Sequence, residues 1–495
     1  MAKNIGTLAE IGNDLCKSLG FKPTSNSTKP LYVANSLFRA CTGKECKIDD
    51  IHDWILSERS AKAIPSASLL EKYKEIVYLS GDDVVNDIKE IRFYLERLFN
   101  PDSTVWPSKQ SSVLNISSRW MVREYTKAEA GIGAFLYTIL NTPIDGEKSR
   151  AIRVIQDALA DDDDDLSRTV KPIIVREPEE ERIRDHGLAD SEIELNSTAL
   201  IIRKGFDCLA DNCEAYNFKN GKNSLLTLRR MVNYAVFATF FYLEDINRTS
   251  YNGKKIPLLL DAGSGMGAIE SASEACFVAC KKAVEDYTIS FIEQWLTSAN
   301  LISNVNSVDS CKKYISDGFT IDATLDDKEH IRETMLQHIS GNCQAGDAPL
   351  LAAAKAIQFA IYTYVYPDTT PSDFCNVLGS KSGFVGPYSS KYKRLLINRF
   401  LLETIVLSIV STEKLKAGID LRELGVLLRD NYNIIIGTDT DVDYSMLEEY
   451  GIARATPEDL RGELPDNAKE IANMLISMGL AKRYADGVTL IGWEV

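Results

Sequence analysis

Apolar residues recur at spacings of three and four through much of the chain, the period of an amphipathic helix. Residues 68–79, 84–99, 127–140 and 148–159 follow it, with breaks at 22–29, 100–103 and 107–112. Positions 225–242 are rich in aromatics and almost uncharged beyond Arg230, which predicts a helix buried on all sides. The run 258–261 predicts one short buried strand. It leads through Ala262-Gly263-Ser264-Gly265-Met266-Gly267 into a helix over 269–296, and another apolar helix is expected over 348–365.

Nearer the C-terminus, a helix is expected over 399–410, and a second starts at Asp420 as N-cap and runs to Arg429. A short strand over 433–437 and a helix over 465–478, stopped by Gly479, come next. The last element is a hairpin, 480–484 and 488–493, around Ala485-Asp486-Gly487, where Asp-Gly is the turn pair. Helices followed by a terminal hairpin are the order of a winged-helix domain. The expected fold is therefore mainly α and multi-domain, with few short strands and a C-terminal winged-helix-like domain.

Charge divides the chain further. Five consecutive aspartates at 161–165 are followed by Glu177-Pro178-Glu179-Glu180-Glu181. Adjacent carboxylates repel and favour solvation, and consecutive side chains cannot all face one ion. Residues 161–190 read as an acidic linker, with 172–175 as a short strand inside it. The remaining divisions are a helical N-terminal domain over 1–160, a helical central domain over 191–375 containing the strand–glycine-turn–helix unit, and the winged-helix-like region over 376–495.

Composition narrows the class. The 495 residues are 45% hydrophobic and 26% charged, which excludes wholesale disorder and a collagen-like chain. Lys and Arg number 56 against 71 Asp and Glu, so 56 − 71 = −15. That balance disfavours a protein that coats nucleic acid with its whole surface and leaves room for a local basic groove. No apolar run approaches the ~20 residues of a membrane span, and the start lacks the apolar core of a signal peptide. A cytoplasmic protein with no membrane association is expected. The ten cysteines show no framework spacing and read as buried thiols of a reducing compartment.

Candidate chemistry is sparse. Gly263, Gly265 and Gly267 behind Asp261 resemble the first motif of class I methyltransferases, which implies a loop for S-adenosylmethionine. Two readings stand side by side, that ligand loop or a tight structural turn, because residues 272–295 hold no second strand with the acidic residue such a site needs. The chain has no Gly-Lys-Ser/Thr phosphate loop. Cys208 with Cys213, Cys276 with Cys280, and Cys41 with Cys46 are spaced poorly for zinc. His330 and His338 are two helical turns apart, roughly 12 Å, too far for one ion. His52 and His186 belong to no catalytic pattern. Asp439-Thr440-Asp441-Val442-Asp443 opens like a calcium loop, but Tyr444 and Tyr450 occupy the positions of the required glycine and glutamate. A solvated acidic loop is expected there. No catalytic residue, metal or cofactor is assigned, and a non-enzyme is expected.

The basic segment is more promising. Lys381, Lys391, Lys393, Arg394 and Arg399 gather with Tyr388 and Tyr392 behind Gly379, Gly383, Gly386 and Pro387. With Lys482 and Arg483 on the hairpin, they are candidate contacts for nucleic acid or a protein partner. The same residues also suit pairing with the protein's own acidic surface. At the recognition-helix position, Asp466, Lys469 and Glu470 sum to negative charge, a composition suited to protein contact.

Leu378-Gly379-Ser380-Lys381-Ser382-Gly383-Phe384-Val385-Gly386-Pro387, leading to Leu401-Leu402-Glu403-Thr404, resembles a known group of proteins. So does Pro257-Leu258-Leu259-Leu260-Asp261 with the small-residue helix at 268–275. Both are similar to the uncharacterised non-ATPase proteins encoded beside translocase-type ATPases in bacterial anti-phage defence islands, such as phosphorothioation-dependent restriction systems. The resemblance covers the C-terminal half. It implies a non-catalytic scaffold or adaptor subunit of a multi-component DNA-targeting complex, meeting double-stranded DNA or a partner ATPase through its C-terminal region. It carries over no catalytic residue. A methyltransferase using the 263–267 turn and a structural or virion assembly protein remain as alternatives.

Overall fold

The computed structural model describes residues 6–23, 30–46, 129, 131–161, 180–182, 195–298, 302–321, 325–366, 370–454, 457–485 and 487–493, with positions 71, 86, 87 and 90. Apart from Glu71, Asn86, Asp87 and Glu90, which are helical, the helices expected at 68–79 and 84–99 lie outside the described residues, as do the strand at 172–175, Asp162 to Asp165, His52 and His186.

In chain order the elements are α1 (Thr7–Leu19), α2 (Pro30–Thr42), β1 (Lys44–Cys46), α3 (Ile132–Asn141), α4 (Arg150–Leu159), β2 (Glu180–Arg182), α5 (Ser197–Asn220), α6 (Ser224–Tyr251), β3 (Leu258–Leu259) and α7 (Gly267–Ser298). They continue as α8 (Val308–Lys313), α9 (Leu325–Gln344), α10 (Pro349–Ala360), α11 (Pro371–Ser382), α12 (Arg399–Ile409), α13 (Thr412–Ala417), β4 (Ile419–Asp420), α14 (Leu421–Tyr432), β5 (Ile434–Ile435), α15 (Thr440–Glu449), α16 (Pro457–Ser477), β6 (Ala481–Arg483) and β7 (Thr489–Ile491). The architecture is mainly α, with a few very short strands.

The uncharged aromatic run became the central helix. α6 packs against α5, α7, α11 and α12, and nearly every side chain from Met231 to Ile246 is buried. Phe237 lies 5.2 Å from Phe384 and 5.3 Å from Tyr432, centroid to centroid, and Phe241 lies 5.2 Å from Tyr432. The tyrosine hydroxyls in this apolar centre need partners. Tyr432 supplies one to Tyr234 at 2.8 Å and meets Ser408 at 2.9 Å. The apolar core is continuous from Leu8 to Ile491. The expected boundary between 375 and 376 falls inside α11, whose Phe374, Cys375 and Leu378 all enter that core.

β3 and β5 pair in parallel, Leu258 with Ile434 and Leu259 with Ile435. β4, β7 and β6 form an antiparallel sheet in that order. β1 pairs with β2.

Two expectations are corrected. α16 begins at Pro457, two turns before the expected start, and Pro465 sits inside it. A proline there removes one N–H bond; Pro465 and Arg461 are both exposed, so water can take the carbonyl that the missing N–H leaves. The acidic stretch 439–445 is helix, not solvated loop. Asp439 accepts from Val442 N at 3.2 Å as N-cap, and Asp441 and Asp443 occupy the first turn, where negative charge favours the helix dipole. Asp443 is fully buried and accepts from Arg429 Nη1 at 2.7 Å and Gly437 N at 3.1 Å. Burial pushes its carboxyl above the ordinary range, with Arg429 opposing.

Candidate functional site

α14 can start where it does because Asp420 accepts from Glu423 N at 2.8 Å. Its first turn, the outer side of α16 and the β6–β7 hairpin enclose a groove of about 760 Å³. Arg422, Lys469 and Arg483 line it, together with Thr438, Pro465 and Val488. All three cations are exposed. Arg483 is fixed across two elements, donating through Nη2 to Asn473 Oδ1 at 2.9 Å and through Nε towards Thr489 Oγ1 at 3.5 Å. Arg422 and Lys469 make no ion pair among the described residues.

The acidic residues of α16 are engaged elsewhere or lie off the groove. Glu463 is used by the neighbouring helix: its Oε2 accepts from Ala268 N at 2.9 Å and Ile269 N at 3.1 Å at the start of α7. Glu470 accepts from Asn473 Nδ2 at 3.2 Å, and Asp466 does not line the groove. Among the α16 residues that line the groove, Lys469 is the charged one. Arg422 was missed because it is isolated in sequence, and only folding brings it to Lys469 and Arg483. Lys482, from the same strand, holds its Nζ 5.1 Å over the ring of Tyr484.

The basic segment 381–399 is divided by the fold. Arg394 is drawn inward: its Nε donates to Asp261 and its Nη2 to Glu270 at 2.7 Å. Arg394 is therefore a strut within the fold. Lys393 donates to Ser380 Oγ at 3.2 Å, Lys391 is exposed, and Arg399 is exposed at the first position of α12.

The glycine turn belongs to the same strut. Asp261 is fully buried and accepts from Gly263 N at 2.7 Å, while its own N–H donates to Leu395 O at 2.8 Å. Ala262 N donates to Asn467 Oδ1 at 3.0 Å. Gly263 and Gly265 adopt positive φ and are exposed. At the helix start that follows, Glu463 of α16 holds the N–H groups of Ala268 and Ile269. The arrangement is a junction between α7, α16 and the 394–396 segment.

Cys208, Cys213 and Cys276 are poor nucleophiles. Burial raises Cys276 and Cys208 to about 12 and Cys213 to about 11, and the thiolate is the reactive form. Among the described residues no group of His, Cys, Asp and Glu is placed to hold a metal, and no helix is long and apolar enough to cross a membrane. No family model matches the chain, and no curated protein matches it in sequence.

Proposed function

We propose that the C-terminal region is a winged-helix-like module that contacts the phosphate backbone of duplex DNA, within a chain that serves as a non-catalytic accessory subunit of a DNA-acting complex. The observation that carries this reading is the convergence of Arg422, Lys469 and Arg483, from three separate elements, on one groove. Connectivity supports it: helix α13, strand β4, helices α14 to α16, then the β6–β7 hairpin, with β7 between β4 and β6. That is winged-helix order with α15 inserted before the recognition position. Asp420, the N-cap of α14, also lines the groove, so one carboxylate stands against the three cations. A defence setting and a partner ATPase rest on the resemblance of the 378–410 and 257–275 segments alone.

The test is titration of the full chain with labelled duplex DNA at several salt concentrations. Arg422→Glu with Lys469→Glu is expected to weaken binding about tenfold or more, and each lost phosphate contact should reduce the salt slope by about 1. Duplex affinity equal to that of the unaltered chain would remove the groove from consideration.

A further inference from the structure

We propose that the 386–394 loop is a stacking platform for single-stranded nucleic acid, separate from the duplex-binding groove. Two tyrosines on this one loop, Tyr388 at 72% and Tyr392 at 73% exposure, are among the most solvent-open aromatics of the described residues. What sets them apart from a singly exposed apolar residue is that two rings share one short loop with several cations. Cations surround them: Lys381 and Lys393 hold their ammonium groups 5.5 and 5.8 Å from the centre of the Tyr388 ring, and Lys391 is exposed beside Tyr392. None of these three lysines forms an ion pair among the described residues.

The loop is held rather than loose. Gly386 N donates to Arg394 O at 3.0 Å and Arg394 N to Gly386 O at 2.8 Å, closing its base. Ser390 N donates to Pro387 O at 3.2 Å and Tyr392 N to Ser390 Oγ at 3.0 Å, shaping its tip. The Arg394 ion pairs with Asp261 and Glu270 anchor the base to the segment after β3 and to α7. The single guanidinium is shared between the two carboxylates, Asp261 fully buried and Glu270 part-exposed, so the positive charge at the loop comes from Lys381, Lys391 and Lys393 and not from Arg394.

The chemistry selects the occupant. A protein-docking patch needs an apolar centre around its aromatic anchors, and here the neighbours along the loop are Ser389, Ser390, Lys391 and Lys393. Solvent-exposed aromatic rings beside ammonium groups fit alternating bases and phosphates. The bases must be unpaired, because those of a duplex already stack on one another.

The experiment uses the full chain and a fluorescent oligo-dT of about 16 nucleotides. Tyr388→Ala with Tyr392→Ala is expected to weaken oligo-dT binding about 25-fold or more, about fivefold for each ring, while duplex affinity stays unchanged. Tyr388→Phe with Tyr392→Phe should bind as the unaltered chain does, since stacking needs the ring and not the hydroxyl. A Tyr388→Trp variant should lose indole emission when oligo-dT is added. Arg422→Glu with Lys469→Glu should leave oligo-dT binding intact, which separates failure of this proposal from failure of the groove. The proposal is overturned by no oligo-dT binding, by full affinity in the folded alanine pair, by unquenched indole emission, or by polyglutamate displacing oligo-dT as well as unlabelled oligo-dT does. The last result would assign the loop to an acidic polypeptide.

Discussion

At the scale of single residues, the charges that folding has buried make the sharpest predictions. Glu244 lies inside α6 with Oε2 unbonded, and burial, reinforced by Asp245, raises its carboxyl well above the ordinary glutamate range. A carboxyl raised in the native state binds its proton more tightly there than in the unfolded chain. Its contribution is full below the ordinary value of about 4.3 and is lost as pH rises through the higher native value. Glu244→Gln should therefore flatten the fall of melting temperature with rising pH. At about pH 8 it should be the more stable variant by about 1–3 kcal/mol in denaturant titrations. Arg39 and Glu129 form a buried pair at 2.5 Å, with Asn35 donating to the same carboxylate at 2.7 Å. Arg39→Met should cost about 3–5 kcal/mol of unfolding free energy by leaving Glu129 without its cation. The double change with Glu129→Met should recover most of that loss.

Among the elements, the helices were legible and their junctions were not. The aromatic period of α6, the Asp420 cap and the Asp-Gly hairpin each declare themselves locally, because the physics that sets them lies within a few residues. The acidic run at 439–445 declares itself wrongly: capping and a dipole look like a loop until Arg429 is seen beneath Asp443. Pro465 marks a plausible helix start, yet α16 extends beyond it on a solvent-facing side. Gly437 could not be read from sequence at all. It holds φ +95°, and a Cβ there would fall 1.9 Å from the carbonyl oxygen of Leu464 in α16. Gly437→Ala should cost about 3 kcal/mol or more, from left-handed strain and backbone overlap together, measured as a lowered denaturation midpoint. Glu463→Ala should cost about 1 kcal/mol by uncapping α7, although the two residues it serves are nearly two hundred positions away.

Over the whole molecule, sequence reading reached the mainly α class but not the way the parts share a core. Composition and linker signals act along the chain, whereas Phe237, Phe384 and Tyr432 meet across it. A fragment spanning 191–375 would leave α6 without Phe384 and Tyr432 and β3 without β5. Expressed alone, it is expected to lack a cooperative melting transition in calorimetry, while the full chain keeps one. The candidate site was legible in part for the same reason. Lys482, Arg483 and the 381–399 cations cluster in sequence, but Arg422 and Lys469 become neighbours only after α14 and α16 are packed.

The fixing of α16 has a consequence for time as well as for shape. Asn467 donates to Leu260 O at 2.8 Å and to Ile436 O at 3.1 Å, and Glu463 is bound to the start of α7. The helix is clamped on its inner side along the stretch that presents Lys469 outward. A surface already set in its working form has no slow step to perform before or after an encounter. In stopped-flow mixing with duplex DNA, the observed rate should climb in a straight line with DNA concentration, reach no plateau, and slow as added salt weakens electrostatic steering.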